Sequence, residues 1–157
     1  ARPDGSSRMI VLTWLVGTIC AAGQLAVIGL IGVSTPWVWF AWACYVMSLT
    51  VFYWAVSVNR QRPLSWAYST DMPLHLQVTG PYRYVRHPFY LSYLLTFFGG
   101  ALATANPWLL LTVVAIGIGA VRAARMEEAK FEGSPLASDY QEFRDRVGMF
   151  FPRIRGR

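Results

Sequence analysis

The residues best suited to chemistry lie in one polar segment near the middle of the chain. Small, aromatic and charged residues stand close together there, in the run Gly80-Pro81-Tyr82-Arg83-Tyr84-Val85-Arg86-His87-Pro88-Phe89-Tyr90. Pro88 suits the first turn of a helix, and such a helix would leave backbone N–H groups free to bind a carboxylate. The tyrosine rings could flank an adenine or attract a cation. An interfacial anchor is the alternative, because Tyr and Arg at a membrane edge need no catalytic role.

A second charged cluster follows the last apolar stretch of the chain. It contains Arg122, Arg125, Glu127 and Glu128. Arg125 and Glu128 are three positions apart, so on a helix they share a face. The adjacent glutamates could bind the ammonium group of a ligand, whereas the alternative is a solvated helix end with ordinary ion pairs.

Four apolar stretches would position these clusters at a membrane surface. They cover residues of about 10–33, 37–58, 89–105 and 107–124. The first two are long enough to cross about 30 Å of hydrocarbon as helices. The last two are shorter, and we expect a helical hairpin whose second helix projects from the membrane. The predicted fold is an all-α, polytopic membrane bundle of about four transmembrane helices with a cytoplasmic tail, forming one domain over residues 1–157.

The distribution of charge predicts an orientation for this bundle. All 14 Lys and Arg residues lie before residue 9, between residues 59 and 87, or after residue 121. Cationic loops stay on the cytoplasmic side, so both termini and the active site are expected there. The chain has a net charge of +6, and its charged residues lie beside the predicted membrane spans. This placement favours anionic lipid over nucleic acid as the partner of the basic residues. The two cysteines have no neighbours at metal-ligand spacing, so no metal site is expected.

Single residues within these stretches also carry structural expectations. Gln24 interrupts the first span, and we expect it to hydrogen-bond a neighbouring helix. A short amphipathic helix is predicted over residues 139–147, because its apolar residues recur at helical spacing, namely Tyr140, Phe143 and Val147. Small residues predict close packing between the two hairpin helices, namely Gly99, Gly100, Gly117 and Gly119.

Taken together, the two clusters resemble the signatures of the isoprenylcysteine carboxyl methyltransferase and phospholipid methyltransferase group of membrane enzymes. The run from Gly80 to Tyr90 is similar to the first signature. The second corresponds to Arg125-Met126-Glu127-Glu128, followed by Tyr140, Phe143, Val147 and Pro152. The resemblance spans residues 74–152, about half the chain. It departs in three ways: His75 is one residue closer to the glycine than is usual, Ser92 stands where glycine is common, and the spans are fewer than in the prenylcysteine enzymes.

The resemblance implies S-adenosylmethionine as the cofactor, bound between residues 75–90 and 122–152. Its ammonium would meet Glu127 or Glu128, and its carboxylate would meet Arg86, His87 or free backbone N–H groups. The implied cofactor-binding residues are His75, Gly80, Pro81, Tyr82, Tyr84, Arg86, His87, Pro88, Tyr90, Glu127 and Glu128.

The resemblance also implies a lipophilic or lipid-like acceptor, in contact with membrane lipids, and candidate catalytic residues Arg125, Glu128 and Arg144. If a carboxylate is methylated, Arg125 or Arg144 need only hold it. A thiol or amine must first lose a proton, to Glu128, Glu127 or His87. The acceptor atom and the oligomeric state stay open. Two other classes are also open: a sterol-reductase-like enzyme that uses NADPH, and a scaffold or carrier without turnover.

Overall fold

The structure is a computed structural model that describes Leu15 and residues 19–30, 36–60 and 72–153. Within these ranges the chain is all-α, as predicted, and a single parallel bridge joins Val85 to Gly148. The helices are α1 (Ile19–Leu30), α2 (Val38–Asn59), α3 (Pro88–Thr104), α4 (Leu110–Glu132) and α5 (Ala137–Arg146). Two 3-10 turns accompany them, Gly80–Arg83 before α3 and Pro107–Leu109 before α4.

Two of these helices are long and apolar enough to cross a membrane, namely Val38–Asn59 and Pro107–Glu132. Only 17% and 22% of their most apolar windows are buried inside the protein, whereas the core helix of a soluble protein is mostly buried. The predicted count of four spans is not confirmed. Helix α3 has 17 residues, which gives a length of about 25 Å. The predicted first span, residues 10–33, lies partly outside the described residues.

Helices α3 and α4 form the predicted hairpin. Helix α3 ends where Ala105 adopts a left-handed conformation with φ of 50°. The side chain of Asn106 then accepts a hydrogen bond of 3.0 Å from the backbone N–H of Trp108, and Pro107 opens the next turn. Helix α4 continues to Glu132, so the prediction that it runs past its apolar residues is confirmed. The second charged cluster is therefore helical.

Helix α3 packs closely against α2. The hydroxyl of Ser48 donates a 2.7 Å hydrogen bond to the carbonyl oxygen of Ser92 and lies 2.8 Å from the Thr96 hydroxyl. A Cβ added to Gly99 would lie 3.3 Å from the Ala41 carbonyl oxygen, so a small residue permits this approach. Ser92, which stands where the resembling enzymes often have glycine, is 1% exposed at this contact.

Gln24 connects α1 to both hairpin helices, which confirms its predicted role. Its Nε2 donates 2.8 Å hydrogen bonds to the Phe97 carbonyl oxygen in α3 and to the Thr112 hydroxyl in α4. The side chain is 6% exposed. A polar side chain in apolar surroundings needs such partners, because an unpaired amide there is costly.

The prediction that four glycines hold α3 against α4 is largely wrong. Gly99 faces α2, and Gly100 faces the Gln24 side chain. Gly119 has no atom within 4 Å of an added Cβ, whereas Gly117 does approach α3, with Leu94 at 3.6 Å. Sequence indicates that small residues permit close approach, but it does not indicate which helix approaches.

The predicted amphipathic helix is confirmed as α5. Tyr140 and Phe143 of α5 and the following Val147 are buried in one cluster with Tyr82 from the first 3-10 turn. The ring of Phe131 stacks on Tyr140 with centroids 4.4 Å apart. These contacts fix the C-terminal part of the chain beside the start of α3.

We expect Gly100→Ala to destabilise the protein, because the new methyl group would displace the Gln24 side chain and break its two interhelical hydrogen bonds. The expected loss is about 1–2 kcal/mol of unfolding free energy. Gly119→Ala is the matched control, since its methyl group enters open space. Reversible unfolding in detergent micelles measures both variants, and equal stability of the two would contradict the assigned role of Gln24.

Candidate functional site

The first signature forms a tight turn that leads into α3. Gly80 has φ of +62°, and a Cβ there would lie 2.7 Å from a methyl carbon of Val58. A glycine is therefore required by both conformation and space. The chain then completes the 3-10 turn and reaches His87, which caps α3, with Pro88 at the first helical position. This helix start was predicted and is confirmed.

The imidazole of His87 lies between the two glutamates of the second signature. Its Nδ1 is 3.2 Å from Oε2 of Glu127, and its Nε2 is 3.1 Å from Oε1 of Glu128. The Tyr90 hydroxyl donates a 2.7 Å hydrogen bond to the other Glu127 oxygen. Residues 40 positions apart in sequence thus meet in a single charged cluster.

Arg86 connects that cluster to the C-terminal segment, which comprises residues 144–153. Its Nε and Nη2 each lie 3.0 Å from Oε1 of Glu128. Its Nη1 donates to the carbonyl oxygens of Arg144 at 3.0 Å and Val147 at 2.7 Å. Most of the guanidinium N–H groups are therefore used within the protein, which makes Arg86 an organiser of the site.

Backbone hydrogen bonds hold the same C-terminal segment against the first signature. The N–H of Arg86 donates to the Gly148 carbonyl oxygen at 2.9 Å, and the N–H of His87 donates to that of Met149 at 3.1 Å. Phe150 then presents its ring to the imidazole, with centroids 6.2 Å apart. These contacts join the two signatures and the segment after α5 around His87.

The surroundings of His87 favour its charged form. Burial alone would lower the pKa of this histidine, but the hydrogen bonds and charges of Glu127 and Glu128 outweigh it and raise the pKa above its ordinary value of 6.5. Doubly protonated imidazole has two N–H donors, and each points here to a carboxylate. The two carboxylates thus favour a proton on each nitrogen of the imidazole.

Three buried polar atoms have no hydrogen-bond partner among the described residues: Asn59 Oδ1, His75 Nε2 and the Tyr140 hydroxyl. The Nδ2 of Asn59 donates to the Tyr82 hydroxyl at 2.9 Å. Burial raises the pKa of Tyr82, the hydrogen bond from Asn59 lowers it, and the charge of Glu127 raises it again. Asn59 was missed by sequence reasoning, which treated it only as a helix end. Unpartnered buried polar atoms are candidates for contact with a ligand.

A polar cavity of about 490 Å³ adjoins the cluster between α4, α5 and the C-terminal segment, within the range of about 300–1,000 Å³ typical of small-molecule sites. Its lining consists of Arg86, Arg125, Glu128, Ala129, Glu132, Arg144, Met149 and Arg153. All three candidate catalytic residues therefore meet there. Glu132 and Arg153 were missed by sequence reasoning, although Arg153 directly follows the last signature residue.

Not every residue of the first signature joins the cluster. The ring of Tyr84 lies 6.1 Å from that of Trp54 and is 56% exposed. Pro81 is buried within the turn. His75 is half-buried, at the start of the segment. The residues brought into direct contact are Arg86, His87, Tyr90, Glu127 and Glu128.

The described helices form an apolar bundle with a charged cluster and a polar cavity at one end, and two of them are long and apolar enough to cross a membrane. The family model described as phospholipid methyltransferase matches residues 36–132, more than half of the chain. The chain therefore belongs to the phospholipid methyltransferase family, which confirms the predicted family relationship. Membership implies a membrane methyltransferase, and this type of family generally uses S-adenosylmethionine. Searches of curated proteins and of solved structures gave no match.

The charged state of His87 can be tested through its titration. The chain has two histidines, so a His75→Gln variant carries His87 alone and gives a single set of imidazole NMR signals. We expect these signals to titrate with a midpoint above 6.5, the ordinary value. A midpoint at or below that value would contradict the clamped arrangement.

The raised pKa of His87 also makes the stability of the protein depend on pH. Because the pKa of His87 is higher in the folded than in the unfolded protein, protonation of His87 stabilises the fold. This contribution is fully present at a pH below the unfolded-state pKa, and it is lost as the pH rises through the folded-state pKa. The difference in unfolding free energy between wild type and His87→Gln should therefore be larger at pH 6 than at pH 9. A difference that grew with pH would show that the imidazole is neutral in the folded protein.

Arg86→Lys should loosen the C-terminal segment, because an ammonium cannot reproduce the planar fork that reaches a carboxylate and two carbonyls. We expect a loss of about 2–4 kcal/mol and faster hydrogen exchange of the amides of residues 86, 87 and 147. Arg83→Lys is the control, since Arg83 is exposed in the same turn. If hydrogen exchange in Arg86→Lys were as slow as in Arg83→Lys, the guanidinium group of Arg86 would not be what holds the C-terminal segment.

Proposed function

We propose that this protein transfers a methyl group from S-adenosylmethionine to a lipophilic or lipid-like acceptor at the site around His87, Glu127 and Glu128. One observation carries the proposal: the two signature segments meet through the contacts of His87 with both carboxylates. Beside those contacts lies a polar cavity of about 490 Å³. Family membership supports the reaction class.

The residues present fit the chemistry of the methyl donor. Glu127 and Glu128 supply negative charge for its ammonium group. Asn59 Oδ1, which has no partner among the described residues, supplies a hydrogen-bond acceptor for a donor of a nucleoside, and His75 Nε2 supplies a ring nitrogen that donates or accepts according to its tautomer. Tyr82 and Tyr90 supply aromatic surface close to Glu127, because Tyr90 donates to its carboxylate and the charge of Glu127 acts on Tyr82. We assign these residues to the cofactor.

When bound, S-adenosylmethionine supplies an electrophilic methyl group, whose bond to the sulfonium sulfur breaks as a bond to the acceptor oxygen, nitrogen or sulfur forms, leaving S-adenosylhomocysteine. The residues of the chain have three tasks. Glu127 and Glu128 bind and orient the ammonium group of the cofactor. Arg86 and the backbone bonds to residues 148 and 149 keep the C-terminal segment closed over the site. Phe150 and Tyr90 limit the access of water.

The requirement for a base depends on the acceptor atom. A carboxylate acceptor is already anionic and needs only to be held, by Arg125 or Arg144 on the cavity wall. An amine or thiol acceptor loses a proton, and Glu128 lines the cavity where it could receive it. Glu127 would then pass the proton on toward solvent.

We also propose that the site faces the cytoplasm and that the acceptor enters from the lipid. The charges that flank the spans support this orientation, since Lys and Arg are retained on the cytoplasmic side. The cofactor then reaches the site from water. Methyl transfer of this kind depends on aligning two bound molecules, which a rigid polar cluster at a membrane surface is suited to do.

Calorimetry of the detergent-solubilised protein with S-adenosylhomocysteine tests the proposal. We expect binding by the wild type and a loss of about tenfold or more for Glu127→Gln, because one charge-assisted contact is removed. Glu142→Gln, which changes an exposed carboxylate on α5, should bind as the wild type does.

NADPH is titrated in parallel with S-adenosylhomocysteine. Absence of S-adenosylhomocysteine binding, or equal affinities of Glu127→Gln and Glu142→Gln, would refute the assignment. Binding of NADPH in its place would favour the reductase class.

A further inference from the structure

The hydroxyl group of Tyr140 is buried without a hydrogen-bond partner among the described residues, and the proposed function gives it no role. The residue is 5% exposed. A buried hydroxyl without a partner is costly, because folding removes its hydrogen bonds to water and supplies none in return. The presence of this hydroxyl therefore requires an explanation.

Packing alone does not require a tyrosine at position 140. The ring of Tyr140 stacks on Phe131 with centroids 4.4 Å apart, and Phe143 meets it at 6.2 Å in an edge contact. Both neighbours are phenylalanines, so this cluster accommodates aromatic rings that carry no hydroxyl. Phenylalanine at position 140 would keep the ring contacts and avoid the cost of the unpaired group.

The hydroxyl lies beside the carboxylate of Glu128. Glu128 and Phe131 are three positions apart on α4, so they share the helix face on which Tyr140 packs. From the other side, Arg86 joins Glu128 to the backbone of Arg144, which lies one turn beyond Tyr140 on α5. Burial raises the pKa of Tyr140, and the negative charge of Glu128 raises it further, which agrees with this proximity.

The carboxylate of Glu128 has an oxygen that this hydroxyl could use. Its contacts with two nitrogens of Arg86 and one of His87 all go to Oε1, at 3.0, 3.0 and 3.1 Å. No described residue donates a hydrogen bond to Oε2. A buried donor and an unused acceptor oxygen thus lie next to each other.

The ammonium group of the cofactor also needs this second oxygen. The proposed function assigns that group to Glu127 and Glu128, and Oε1 of Glu128 already has three N–H donors around it. A carboxylate oxygen has two lone pairs, so Oε2 can accept from the ammonium and from the Tyr140 hydroxyl together. A small rotation of the carboxylate would align Oε2 with both donors.

We infer that Tyr140 is a positioning residue: its hydroxyl donates to Oε2 of Glu128 when the cofactor binds, and thereby orients the carboxylate that meets the ammonium group. The inference rests on the proposed function, which assigns Glu128 to that group. The hydroxyl then raises the affinity for the cofactor and lowers the stability of the protein alone. A residue that merely supported the fold would raise its stability.

Calorimetry with S-adenosylhomocysteine and thermal unfolding in the same uncharged detergent compare the wild type with Tyr140→Phe. We expect about tenfold weaker binding by the variant, because the complex loses a hydrogen bond to a charged group. Its unfolding midpoint should equal or exceed that of the wild type, because an unpaired buried hydroxyl is removed. Tyr53→Phe removes an exposed hydroxyl on α2 and should change neither quantity.

NMR of the tyrosine ring carbon that bears the hydroxyl gives a signature that a structural role would not produce. The chain has eight tyrosines, and the ¹³C signal missing from Tyr140→Phe identifies that of Tyr140. Saturation with S-adenosylhomocysteine should move this signal downfield, because donation to a carboxylate increases the negative charge on the phenolic oxygen.

Three results would overturn the inference: wild-type affinity in Tyr140→Phe, a lower unfolding midpoint of this variant, or a Tyr140 signal that S-adenosylhomocysteine does not move. The second result would assign the hydroxyl to the support of the fold. All three leave the proposed function intact as long as the wild type binds S-adenosylhomocysteine. If the wild type does not bind it, the proposed function fails and the inference fails with it.

Discussion

The structure of the site depends on one buried carboxylate, that of Glu128. A single oxygen of this group lies within 3.1 Å of two nitrogens of Arg86 and one of His87. A carboxylate buried to this extent, with 7% of the residue exposed, is costly unless cations and hydrogen bonds surround it. Glu128 therefore requires the first signature beside it. That requirement brings the start of α3 to the charged end of α4.

The consequences of this contact extend to the C-terminal segment. While Nε and Nη2 of Arg86 contact Glu128, its Nη1 donates hydrogen bonds to the carbonyl oxygens of Arg144 and Val147. The backbone at Gly148 then pairs with Val85. One ion cluster thus organises both the contact between the two signatures and the wall of the adjoining cavity. Buried ion pairs of this kind are better understood as sources of specific arrangement than of net stability.

Much of the fold follows from local sequence. The hairpin depends on Asn106 and Pro107, and α5 depends on apolar residues at helical spacing, so both could be predicted. The contact of the two signatures was expected only from the resemblance, which implies that both segments line one cofactor pocket. The partners of the glycines could not be predicted, because Gly99 and Gly100 would permit any helix to approach. The neighbours depend on how the polar groups of Gln24 and Ser48 find partners.

Residue types in the sequence predicted which residues belong to the site better than they predicted what each residue contacts there. Arg86 suits a ligand carboxylate by its chemistry, yet its N–H groups bind a side chain and two carbonyls that become neighbours only after folding. Tyr84 belongs to the same signature but lies against Trp54. Arg153 directly follows the last signature residue, but its place on the cavity wall depends on how the segment before it is anchored. Such assignments require tertiary contacts, which one sequence does not contain.

A double-mutant cycle between His87 and Glu128 tests the central contact most directly. Unfolding free energies are measured in micelles at pH 6 for the wild type, His87→Gln, Glu128→Gln and the double variant. The buried contact predicts that the two substitutions are coupled by about 1–3 kcal/mol, because each removes the partner of the other. Additive effects, with a coupling within about 0.3–0.5 kcal/mol of zero, would mean that the two signatures do not meet and would contradict the account.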